Sequence, residues 1–154
     1  MNRINKQKGT SMLEVVVGIS VIFVAILSII TSYSFFIKVS QKNTNTIKAQ
    51  YLLEEGLEVV RIIRDNNWDS LVSSEKFLSF QGNFWQLVDT NVYTDGFERK
   101  AIISDVYRDT NDLIQETGTL DTGTKKIQIN ISWWSVGATT TDSANIYLTD
   151  LFND

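Results

Sequence analysis

Residues 9–37 read G-T-S-M-L-E-V-V-V-G-I-S-V-I-F-V-A-I-L-S-I-I-T-S-Y-S-F-F-I, and the fold follows from how this stretch is read. From residue 15 to residue 37 no side chain is charged, and only Gly, Ser and Thr interrupt the apolar run. At 1.5 Å per residue, 23 helical residues extend about 34 Å, enough to cross a hydrocarbon core of about 30 Å. The stretch is therefore a membrane-spanning candidate rather than a core helix. Ahead of it stands a short basic segment, M-N-R-I-N-K-Q-K. A secretory signal peptide also pairs a basic start with an apolar run, but here the run is too long and no A-x-A-like site follows it. A plain anchor remains a reading of these residues, and against it stands Glu14 at the edge of the run. A charge deep in a bilayer costs about 2.5–3.5 kcal/mol on insertion scales, so a carboxylate there asks for a purpose. Positive charge does not orient the helix by itself: Arg3, Lys6 and Lys8 face Lys38, Lys42 and Lys48 across it, and the α-amino group tips the balance toward a cytoplasmic N-terminus.

The arrangement G-T-S-M-L-E resembles the processing site of type IV prepilins and pseudopilins. The resemblance implies a cut between Gly9 and Thr10 by a membrane prepilin peptidase/methyltransferase, with N-methylation of Thr10 after cleavage. It also implies that Glu14, fifth in the mature chain, attracts the N-terminal ammonium of a neighbouring subunit. Such a pair neutralises two charges in apolar surroundings and sets axial register during assembly. Two departures are visible. The family prefers Phe or Met where Thr10 stands, and the Pro that many pilins carry near Thr31 is absent, as is any Pro in the chain. The stretch L-L-E-E-G-L-E-V-V-R-I-I-R-D-N-N-W resembles the minor, pilus modification type of pilin.

After residue 37 the chain turns polar without a strong breaker, and a helical period resumes. Ala49, Leu53, Leu57, Val60 and Arg64 form one stripe, with Leu52, Val59 and Ile63 on a neighbouring one. These spacings predict one helix over residues 11–64, frayed around Asn43 to Asn45, with an Arg61–Asp65 pair and a stop at Asn66-Asn67. Glu54, Glu55 and Glu58 share this helix. With no His and no Cys anywhere in the chain, they read as a solvated or subunit-facing surface rather than an acid/base or metal site.

Beyond residue 71 the period shifts toward two. Ile127, Ile129, Ile131 and Trp133 alternate with polar residues in K-K-I-Q-I-N-I-S-W-W, a strand with one wet face. T-D-G at residues 94–96 is a turn feeding a strand over 97–108; further strands are read at 84–89 and 144–152. The triplet D-T-G at residues 121–123 matches that of aspartic proteases, but that chemistry needs two such carboxylates, and the residues read as a turn. Trp134 points away from the Ile stripe, either as a contact residue or beneath the Gly118–Gly123 loop. N-I-S at Asn130 fits a glycosylation triplet, but mid-strand it reads as chance.

The fold class is α+β: a long N-terminal helix, transmembrane in one half and amphipathic in the other, packed on a small antiparallel sheet, as in the pilin fold. The organisation is a leader over 1–9, an assembly helix over 10–37, an amphipathic continuation over 38–65 and a β-sheet head over 66–154. The resemblance implies a structural subunit, not an enzyme, in a pilus-like filament. Its partners are other pilin subunits, major and minor, the peptidase, an inner-membrane assembly platform and the lipid bilayer. It implies a single-pass inner-membrane protein with its head outside the cytoplasm. No cofactor or metal is expected. The formal charge of −4 becomes −7 once the leader's three cations leave, which disfavours nucleic acid as a partner. The alternative is a membrane-anchored extracytoplasmic binding domain unrelated to pili.

Overall fold

A computed structural model describes residues 8–135 and 137–151, with side chains from residue 12 onward. The chain divides into two compact units, Met1–Thr44 and Asn45–Asp154. One helix, α1 (Lys8–Asn66), contributes to both. Residues 1–7 of the expected leader lie outside the described residues.

In the first unit the apolar stretch of α1 is exposed on every side. It is long and apolar enough to span a membrane, with a mean hydropathy of 2.8 over its most apolar window. A helix suits that role because it satisfies its backbone groups internally. Several hydroxyls follow the same logic. Ser20, Ser28, Thr31 and Ser34 each donate to the carbonyl four residues earlier, at 2.7–2.9 Å, so their polar atoms are paired without water. The fraying expected around Asn43 to Asn45 is not found. Helical backbone continues through it, and Thr44 donates to the Ser40 carbonyl at 3.0 Å.

In the second unit the end of α1 lies against one face of an antiparallel sheet. Its strands are β1 (Ser74–Gln81), β2 (Phe84–Val88), β3 (Tyr93–Thr94), β4 (Phe97–Arg108), β5 (Ile114–Gln115), β6 (Thr119–Ser135) and β7 (Ala138–Thr149). The main order is β2-β1-β4-β6-β7, with β3 and β5 also pairing with β4. Ala49, Leu53, Val59, Val60 and Ile63 of α1 are buried against Ile127, Ile129 and Ile131 of β6 and Leu78, Ala101 and Ile103 of β1 and β4. Each fully buried aliphatic side chain contributes about 1.5–3 kcal/mol relative to exposure. The two stripes anticipated on the helix thus cover the sheet, and the strand alternation selects Ile127, Ile129, Ile131 and Trp133 as the covered face.

Gly56 sits at the centre of this contact. A Cβ there would lie 2.8 Å from Ile129 Cγ2 and 3.3 Å from Leu78 Cδ1. Only glycine lets the helix approach the sheet this closely, which outweighs its poor helix propensity. At the other turn foreseen, Asp95 and Gly96 both have positive φ (52° and 84°) and join β3 to β4 as a two-residue hairpin, the arrangement that Asp-Gly favours.

Two local expectations change, while the helix stop expected at Asn66-Asn67 holds. Arg61 pairs with Glu58 rather than Asp65, and Asp65 pairs with Arg64 at 2.8 Å. Asn67 ends the helix but also accepts from Asp69 N to cap a short 3₁₀ turn over Trp68–Ser70. The D-T-G triplet is no turn between strands. It lies inside β6, where the register with β4 shifts from Asp105↔Lys125 to Val106↔Asp121. The three extra residues form a bulge, held by Gly123 N donating to Asp121 Oδ1 at 3.0 Å.

Candidate functional site

The residues singled out for processing and assembly fall at the start of α1. Gly9 and Thr10 are helical in backbone and lie in the first turn; Glu14 is exposed one turn further on. Positions 10 and 14 share a helix face, at a rise of about 6 Å. The expected Glu14 partner belongs to a neighbouring subunit, so a single chain brings together only the junction and the carboxylate. Glu14 is followed at once by the uncharged run, which places a charge at the boundary of an exposed apolar surface.

Two glutamates of the helix's second half, Glu55 and Glu58, are engaged in ordinary ion pairs. Arg99 Nη1 donates to Glu55 Oε2 at 2.9 Å, and its guanidinium carbon lies 5.5 Å from the Trp85 ring centroid. Arg99 is nearly enclosed, so it ties helix to sheet while stacking on an aromatic face. Glu58 is taken by Arg61. Among the described residues no group of three His, Cys, Asp or Glu could hold a metal ion.

Two further ion pairs brace the sheet near the β6 bulge. Lys125 Nζ donates to Asp105 Oδ1 at 2.5 Å, and Ser73 Oγ donates to the same oxygen at 2.5 Å. These bonds, Lys125 first, hold the Asp105 carboxyl below the ordinary carboxylate range. Arg108 Nε donates to Asp121 Oδ2 at 2.6 Å, lowering the Asp121 pKa and raising that of Arg108. Asp109 is lowered mainly by the backbone N–H of Leu113, which closes the loop between β4 and β5. The D-T-G carboxylate is therefore a salt-bridged bulge residue. Among the described residues no second carboxyl is hydrogen-bonded to it to share a proton, and Arg108 neutralises it.

The opposite face of the sheet was legible only in part. Trp134 is 69% exposed, so no loop covers it. It does not stand alone there. Alternation and strand register put Tyr93 and Tyr147 on the same face. Isolated tyrosines in polar sequence carry no periodic signal of their own; only the pairing of distant strands collects them.

Compared with known protein families, curated proteins and solved structures, the chain matches none of them.

Proposed function

We propose that this chain is a structural subunit of a type IV pilus-like filament, a minor pilin or pseudopilin, made as a precursor and cut between Gly9 and Thr10. The observation that carries this reading is the placement of Glu14: one helical turn past a G-T junction and at the edge of a 23-residue uncharged helical run. An anchor alone needs the run but gains nothing from the carboxylate. An assembling subunit gains from both.

Cutting at the junction creates an ammonium on Thr10 at the same boundary. Neither charge is stable alone in apolar surroundings, and each offsets the other only between subunits in the correct stagger. The exposed apolar surface of the helix is covered by lipid before assembly and by neighbouring helices afterwards, where close packing rather than the hydrophobic effect holds it. The β-sheet unit then serves as the head outside the cytoplasm. In this reading the protein is no enzyme and needs no cofactor, and its partners are other subunits, the peptidase and an assembly platform in the inner membrane.

The test is Glu14→Ala in a cell that carries the assembly machinery. Cleavage and membrane insertion should proceed, while recovery in sheared filaments should fall strongly. Normal filament levels of this variant contradict the role given to Glu14.

A further inference from the structure

The face of the sheet turned away from α1 has a composition that neither membrane anchoring nor filament packing requires. Its rows run across β4, β6 and β7. One row is Ile102, Gln128 and Asn145; the next is Lys100, Asn130 and Ser143; the next is Glu98, Ser132 and Thr141. The β6 and β7 members of all three rows are amides and hydroxyls. Some are already linked to one another: Gln128 Nε2 donates to Asn130 Oδ1 at 3.0 Å, and Ser132 Oγ lies 2.9 Å from Thr141 Oγ1. The result is a pre-ordered, uncharged ladder of donors and acceptors along two strands.

Aromatic rings stand at both ends of that ladder. Trp134 (69% exposed) and Tyr93 (67%) lie at one end. At the other, Tyr147 lines a groove of about 500 Å³, together with Ile102, Gln115, Gln128 and Lys126. Tyr147 pairs with Lys126 and Trp134 with Thr139, eight residues apart along β6. At roughly 3.4 Å per residue the two platforms are about 27 Å apart. Exposed Trp and Tyr offer a flat apolar face beside a polar tip, a combination enriched at binding surfaces.

Few partners combine these demands. A protein interface of this size carries an apolar core, and on this face the apolar residues Phe77, Val88 and Ile102 lie on the β2-β1-β4 side, away from the polar β6–β7 ladder. An acidic chain repels phosphate backbones and anionic lipid surfaces. A sugar chain offers what the face asks for: hydroxyls at close spacing along an extended strand, and apolar C–H faces that stack on aromatic rings. We propose that this outer face is a binding bed for a neutral, extended polysaccharide, which lies along β6 and β7 with its ends stacked at Tyr147 and at Tyr93–Trp134. The site lies wholly in the sheet unit, so it stands whether or not the chain assembles into filaments.

The experiment is calorimetric titration of the full chain with cellohexaose and with chitohexaose, in micelles of a detergent without a sugar headgroup. At least one hexasaccharide should bind. Trp134→Ala and Tyr147→Ala should each weaken it about tenfold or more, as loss of a desolvated aromatic contact does. Tyr51→Ala, an exposed aromatic on α1, should leave the affinity unchanged. Circular dichroism checks that each variant is folded, and because these side chains are exposed the melts should stay close to the parent. Failure of both hexasaccharides to bind the folded parent overturns the proposal, as does binding that survives both substitutions. If neither sugar binds while Trp134→Ala abolishes association of the chain with itself, the face belongs to a protein partner and the proposal is equally overturned.

Discussion

Gly56 shows how one residue sets the distance between two layers. Helix propensity favours alanine over glycine by about 1 kcal/mol, so Gly56→Ala on an isolated helix would stabilise it. Here the added methyl meets the branched, buried Ile129 at 2.8 Å, which cannot swing aside. The expected outcome is a net destabilisation of about 1–3 kcal/mol, read as a lowered thermal midpoint. A raised midpoint would mean that helix and sheet separate at little cost. Asp105 carries a second prediction at this scale. Its folded pKa is depressed by Lys125 and Ser73, so its contribution is present above the unfolded value of about 3.9 and is lost as pH falls through the lower folded value. Asp105→Asn should therefore reduce stability at neutral pH and flatten the loss of stability below about pH 4, as followed by denaturation at stepped pH. An unchanged acid limb would show that the carboxylate is not linked to folding. Neither residue announced its role in the sequence. Gly56 reads as a weak spot in a helical pattern, and Asp105 as one more charge on a strand; each acquires its partner from a segment far away in the chain.

At the scale of elements, what was legible depended on whether the signal was local. The uncharged run over 15–37, the strand Phe97–Arg108 and the Ile stripe of β6 are visible because their periodicity needs no partner. β1 was not anticipated as a separate strand. In S-E-K-F-L-S-F-Q the inward Leu78 and outward Phe77 are both apolar, so period two is blurred. The bulge in β6 was missed for a related reason: Asp, Thr and Gly signal a bend equally well at a strand's end and inside it. β6 carries the third prediction. Ile129, buried under Gly56, should cost about 2–5 kcal/mol when truncated to alanine, more than the outward Gln128→Ala beside it. Urea unfolding of the two variants compares them directly. The apolar run of α1 carries the fourth. Ala25→Arg places a charge mid-run and should reduce membrane insertion by the equivalent of about 2.5–3.5 kcal/mol. Alkaline extraction of membranes reads the outcome, and full retention would argue that the segment does not span.

For the whole molecule, the α+β layout follows from two surfaces of α1 with different needs, one apolar all round and one with stripes that match a sheet. That layout is shared by a filament subunit and by a tethered binding domain, and the exposed aromatic face of the sheet fits either. What separates them is chemistry at the junction before Glu14. The candidate site was legible there as a pattern, G-T-S-M-L-E ahead of an uncharged run. Its use was not, because the partner charge proposed for Glu14 would arise only after a cut and on a second chain. The most direct measurement is therefore the mass of the mature N-terminus, isolated from membranes of a cell that has a prepilin peptidase. A chain beginning at Thr10 and N-methylated is the predicted result; a chain that still begins at Met1 contradicts the account.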